Sequence, residues 1–203
     1  DEEFVYSNEI YVVRNLLKLI DVVKNNKFSE LVYPFISVAR SYVCKFSDND
    51  IFKSVTENNI LNNPVFSELF DKIRKLVLFS KENSLSSLVL ELYKEFNLYE
   101  KSILIGNVEL VNKKLDYIVD VVCNLEKIGY HLEDFIEYFD NLFDKKLDIK
   151  FSNKEETEDN AVHVMSVHYS KGLEYPICYF PTLYKKFNKK ELNDRFLFNR
   201  NYG

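Results

Sequence analysis

The chain has 203 residues, is 46% hydrophobic and 29% charged, holds four Gly and four Pro, and carries a net charge of −5. That is enough to bury a core of roughly 70% of the unfolded surface in one or two domains, and it describes a helix-rich globular protein. It excludes a helical membrane span, because no apolar run approaches the roughly 20 residues one needs.

The elements follow from periodicity and punctuation. Ile10, Val13, Leu16, Leu17 and Ile20 recur at three- and four-residue spacing, which predicts a helix from Ser7 to about Asn25, buried on one face. Pro34 suits the first turn of a second helix, to about Val43. Ser47-Asp48-Asn49-Asp50 reads as a capping box with Asp in place of Glu, opening a short helix to about Glu57. Asn63-Pro64 starts the next helix, to about Lys81, and Ser84 caps another through Leu88, Leu92 and Phe96. A looser stretch around Gly106 leads into a long helix from about Val108 to Ile128, which Gly129 ends, and a last helix spans about Leu132 to Lys145.

Then the character changes. Residues 151–160, FSNKEETEDN, are polar and aperiodic and read as a linker. Beyond it two apolar runs, Val162–Ser166 and Ile177–Thr182, are expected to be strands, with a third at Arg195–Asn199. The expected fold class is mainly α: a helical domain over 1–150, the linker, and a small α/β piece over 161–203. Charge divides the same way. Residues 161–203 carry seven Lys/Arg against three Asp/Glu, or +4, which leaves −9 on the rest. An acidic body binds nucleic acid poorly, and the basic end is the better candidate.

Cys44, Cys123 and Cys178 are far apart and odd in number, so neither a disulfide framework nor a metal knuckle fits; reduced, partly buried thiols of a cytoplasmic protein are expected. His163 and His168 have no third ligand nearby, so no metal site is expected. The acidic start lacks the features of a signal peptide and an initiator Met, so the chain reads as a piece excised from a longer one. Core packing accounts for nearly all the Phe and Tyr residues, with Phe187 open to base stacking.

The segment MSVHYSKGLEYPICYF, residues 165–180, carries the chemistry. A strand that ends in a small-residue loop at a helix start presents unpaired N–H groups to an anion. Ser170, Lys171 and Gly172 supply a hydroxyl, a cation and a backbone that allows close approach, and Glu174 suits a first helical turn. A capped surface turn with a lysine is the alternative, and the residues alone leave both open. No GxxxxGK[ST] occurs, so this chain has no P-loop.

These residues resemble motif V of the UvrD/Rep-type superfamily 1 DNA helicases, MTxHxxKGLEFPxVF, matching at Met165, His168, Lys171, Gly172, Leu173, Glu174 and Pro176. Ser166 stands where Thr is usual, and Tyr175 where Phe is usual. The following TLYKKFNKKELNDRFLFNRNYG resembles the AddA/RecB-like helicase–nuclease subunits more than UvrD and Rep, and weaker likeness to AddA covers residues 3–50 and 108–139.

The resemblance implies a helical (2B-like) insertion subdomain that interrupts the second RecA-like motor domain, followed by re-entry into that motor. It implies that Lys171, Gly172 and Glu174 bind ATP, with Glu174 on the ribose and the other two near the phosphates. Ser166 and His168 would face single-stranded DNA. The parent would be an ATP-dependent DNA helicase of recombination and double-strand-break repair, using ATP and Mg²⁺, cytoplasmic and off the membrane, with an AddB/RecC-like partner subunit. The piece alone would be inactive, and its exposed strand edges would favour self-association. The other readings are a stand-alone UvrD/Rep-like repair helicase and a non-enzymatic helical interaction module.

Overall fold

The computed structural model describes residues 4–149, 151, 162, 164–166 and 168–180. The chain divides into two compact units, Asp1–Glu155 and Glu156–Gly203, and each is described by itself.

The first unit is helical. Among the described residues it contains α1 (Asn8–Lys24), α2 (Val32–Arg40), α3 (Asp48–Thr56), α4 (Ser67–Phe79), α5 (Leu85–Glu95), α6 (Leu98–Lys101), α7 (Val108–Lys127) and α8 (Leu132–Asp144). The caps read from the sequence set most starts. The Ser47 hydroxyl oxygen accepts the Asp50 amide at 3.2 Å and donates to the Asp50 carboxylate at 2.7 Å. Asn63 accepts from the Val65 amide, Ser84 from Ser87, and Asn107 from Leu110. Gly129, at φ +95°, ends α7: its amide donates to the Glu126 carbonyl and the Tyr130 amide to that of Leu125, the paired bonds of a left-handed helix stop.

Three expectations change. α2 stops at Arg40 rather than Val43, because Ser41 turns extended at ψ 165° and Lys45 takes φ +55°. The short helix α6 and a 3-10 turn at Ser102–Leu104 fill the looser stretch before Gly106, begun by Asn97 in the left-handed region. And α1 is buried around most of its circumference rather than on one face. It packs against α2, α4, α7 and α8, and Ile10, Val12, Val13, Leu16, Leu17, Leu19, Ile20 and Val22 are all in the core.

Burial on that scale takes polar groups with it. Glu9 lies inside and meets Lys114 of α7 at 3.1 Å, each side chain only 6% exposed. Asp21, also buried, accepts from Asn25 and Lys27. At the far end the Asp148 carboxylate accepts the Phe4 and Val5 amides, both at 2.8 Å, and Phe151 stacks on Phe4 with ring centroids 5.2 Å apart. The start and the end of the helical unit are thereby tied together.

In the second unit no described residue forms a β-strand: 162, 164–166 and 178–180 lie outside regular structure and are exposed. Residues 163, 181 and 182 of the expected strands, the third strand at 195–199 and Phe187 fall outside the described residues.

Two predictions concern the helical unit. Removing one partner of a buried ion pair strands the other charge, at about 3–5 kcal/mol. Lys114→Met, which leaves Glu9 buried without its cation, is therefore expected to lower stability by that amount in urea titrations, and adding Glu9→Leu is expected to restore most of the loss; an additive double variant would contradict it. The second is a pH dependence. Hydrogen bonds from Ser86 and the Leu85 amide hold the Glu126 carboxyl below its usual range. At Glu133 burial pushes upward, but Asn25 and Lys24 prevail and the carboxyl is again lowered. Both therefore contribute stability that is complete above the ordinary carboxylate pKa of about 4.3 and is lost as pH falls through the lowered folded values. Thermal melts should be level above about pH 5 and decline below it; a level profile down to pH 3 would contradict this.

Candidate functional site

The clefts of the helical unit run along α8 and are edged by carboxylates of Glu133, Glu137, Asp140 and Asp144. Arg14 and Lys18 pair with Asp140, Lys24 with Glu133 and Lys27 with Asp21, so most of the cations there are already engaged, while Lys145 also lines a cleft. A surface of that sign repels phosphate groups. Among the described residues no group of three or more His, Cys, Asp or Glu side chains is placed to hold a metal. Cys44 is mostly buried, which pushes its thiol up to about 11 and leaves it unreactive at neutral pH. Cys123 is half-buried, while Cys178 is exposed rather than partly buried. No described helix is long and apolar enough to cross a membrane.

That leaves the turn in the second unit. Its frame is a single carbonyl: Ser166 O accepts the Tyr169 amide at 3.0 Å and the Ser170 amide at 3.1 Å. The Ser170 carbonyl then accepts the Leu173 amide at 2.9 Å, so a second turn follows the first. Gly172 lies at φ +87°, where a side chain is strained, and a Cβ there would meet nothing within 4 Å. The requirement for glycine is thus conformational and not one of crowding. The Tyr175 hydroxyl reaches back to the Met165 sulfur at 3.7 Å, linking the two ends of the loop.

The five residues singled out from the sequence all lie on this short segment. Ser166, His168, Lys171, Gly172 and Glu174 are exposed. One local expectation fails: no helix begins at Gly172, and Glu174 lies outside regular structure. Pro176 explains this, since its ring disfavours helical backbone at Tyr175 and blocks continuation. What the turn can offer an anion is therefore Lys171, the Ser170 hydroxyl and amides other than those of Tyr169, Ser170 and Leu173, without a following helix to add a dipole.

The ATP fit is partial. A lysine, a glycine turn and an exposed carboxylate can serve one edge of a nucleotide, but the chain has no P-loop and no described ligand set for Mg²⁺. Sequence reading missed the buried Glu9–Lys114 pair and the Asp148 clasp. The first had a signal: Glu9 and Lys114 each occupy the apolar stripe of their helix, with opposite charges. The second had none, because Asp148 lies beyond the last helix.

No protein-family model matches the chain. Curated proteins do. Over its whole length it is 26% identical to the A subunit of the ATP-dependent helicase/nuclease of Staphylococcus epidermidis, spanning 18% of that protein. It is 24% identical over 98% of its length to the protein of the same name from Lactobacillus helveticus, spanning 17% of it. Over 68% of the chain, identity to the corresponding protein of Enterococcus faecalis reaches 30%, covering 11% of that protein. The chain thus spans less than one fifth of the relatives it matches. The AddA-type likeness read after the turn and in residues 3–50 and 108–139 extends along the whole sequence, and the chain is a distant relative of the A subunits of ATP-dependent helicase/nucleases.

Proposed function

We propose that these 203 residues are a segment of an ATP-dependent DNA helicase of the helicase–nuclease type, acting in recombination and double-strand-break repair. The observation that carries this is full-length similarity to helicase/nuclease A subunits, with the motif V residues gathered on one preorganised turn. The longer protein supplies the P-loop and the Mg²⁺ ligands, works in the cytoplasm, and pairs with a second, AddB-like subunit.

In this reading residues 1–150 are a helical insertion within the second motor domain. The clasp between Asp148 and the Phe4 and Val5 amides supports it, because a domain whose ends meet can interrupt another without separating the flanking chain. Residues 161–203 re-enter the motor, and their two apolar runs become strands once neighbouring strands of a sheet lie on either side. An isolated pair of strands is marginal in water, in keeping with their irregular backbone here.

The turn then does two jobs. Glu174 accepts hydrogen bonds from the ribose hydroxyls of ATP, while Lys171 and the backbone at Gly172 face its phosphates. Ser166 and His168 hold the backbone of single-stranded DNA. Ser166 keeps the hydroxyl of the usual Thr, so no donor is lost. Because the Ser166 carbonyl anchors the same turn that carries Lys171, closure of the motor on nucleotide shifts the DNA contacts with it.

In the longer protein Glu174→Ala is expected to raise the Michaelis constant for ATP by roughly ten- to a hundredfold, the loss of one charged hydrogen bond. Affinity for single-stranded DNA is expected to change little. Steady-state ATPase assays at saturating DNA check this, and an unchanged Michaelis constant would remove the ribose assignment. For the 203-residue chain by itself, light scattering is expected to show self-association that rises with concentration, through the unpaired apolar runs. A chain ending near Asn153 is expected to stay monomeric, and two monomeric chains would contradict the strand reading.

A further inference from the structure

Tyr169 is an aromatic residue of the turn that has no role in the helicase reading. It is 83% exposed, although its amide is satisfied inside the turn by the Ser166 carbonyl at 3.0 Å. It lies directly between His168 and Ser170, two positions before Lys171. Other exposed apolar residues of this unit, Ile177 at 89% and Tyr179 at 86%, belong to a run whose alternation and branching suit a sheet. Tyr169 does not: it is on a tight turn between His168 and Ser170, with Lys171 two residues on. A large aromatic face held in water beside a histidine and a lysine is the combination that single-stranded nucleic acid uses, a flat surface for a base next to cations for the backbone.

We propose that Tyr169 stacks on a base of the single-stranded DNA whose backbone Ser166 and His168 hold, an inference that rests on the DNA-binding reading of the turn. The turn fixes the geometry for it. The Ser166 carbonyl binds the Tyr169 and Ser170 amides together, so the backbone-facing residue and the aromatic residue cannot move independently. The two contacts also differ in kind. Ser166 and His168 address phosphates, which every nucleotide has, whereas a stacked ring needs a base to be present.

That difference supplies the experiment. The longer protein is titrated by fluorescence anisotropy with an oligothymidylate and with an abasic oligodeoxynucleotide of equal length, as wild type and as Tyr169→Ala, Tyr169→Phe and His168→Ala. Stacking on one base predicts that Tyr169→Ala weakens oligothymidylate binding by about tenfold and leaves the abasic oligomer unaffected. Tyr169→Phe should keep wild-type discrimination, since the ring is retained. His168→Ala should weaken both oligomers alike. If Tyr169→Ala weakens both equally or neither, while His168→Ala weakens both, the stacking inference is overturned and the DNA reading stands. If none of the variants changes either affinity, the DNA assignment of the turn falls with it.

Discussion

Enclosing α1 is the constraint on which the helical unit depends. A helix covered on nearly every side has no face on which to place polar residues in water. The polar residues it carries inward therefore take partners nearby, although the Asn15 side-chain oxygen has none among the described residues. Lys114 answers Glu9 from α7, Asn15 donates to the Tyr11 carbonyl one turn back, and Asn25 and Lys27 answer Asp21. These pairings fix more than energy. An apolar α7 could slide along α1 by a turn at modest cost, but Lys114 can meet Glu9 in one register only. The registry of α7 in turn sets α5, through the buried Tyr93 hydroxyl on the Leu115 carbonyl at 3.0 Å.

How far the fold is legible in the sequence depends on the range of the interaction. Helix starts are readable because their causes are local. Ser47, Asn63 and Ser84 cap within three residues of themselves, and Gly129 stops α7 with bonds reaching back no more than five residues. The early end of α2 and the short α6 are not, since Ser41 and Asn97 adopt backbone angles that their neighbours tolerate and do not announce. Burial of α1 on most sides escapes periodicity for a related reason. Tyr11, Arg14 and Lys18 mark a polar strip, but Arg14 and Lys18 turn that strip into a second interface by pairing with Asp140 of α8. A pairing across 126 residues leaves no trace in local periodicity.

The turn shows the converse. Its identity is legible because motif V is dense in residues with fixed requirements: a positive φ at Gly172, and a proline at 176 that limits what precedes it. The expected helix start after Gly172 gives weight to Glu174 and too little to Pro176. The role proposed for Tyr169 is invisible to family comparison for a different reason. It occupies a position that the motif leaves unspecified, so only its exposure beside His168 and Lys171 draws notice.

The charge division between the two parts of the chain follows from these same placements. The helical unit uses its cations inwardly or across its own surface, as Lys114, Arg14, Lys18 and Lys24 do, and is left with carboxylates along α8. Such a surface repels phosphate groups rather than retaining them. The clasp at Asp148 complements this. It joins residues 144 apart in the chain, so the entropy of closing that loop is met within the helical unit itself. On the proposed reading as an insertion, this closure would let the flanking chain leave and re-enter a host domain at nearby points.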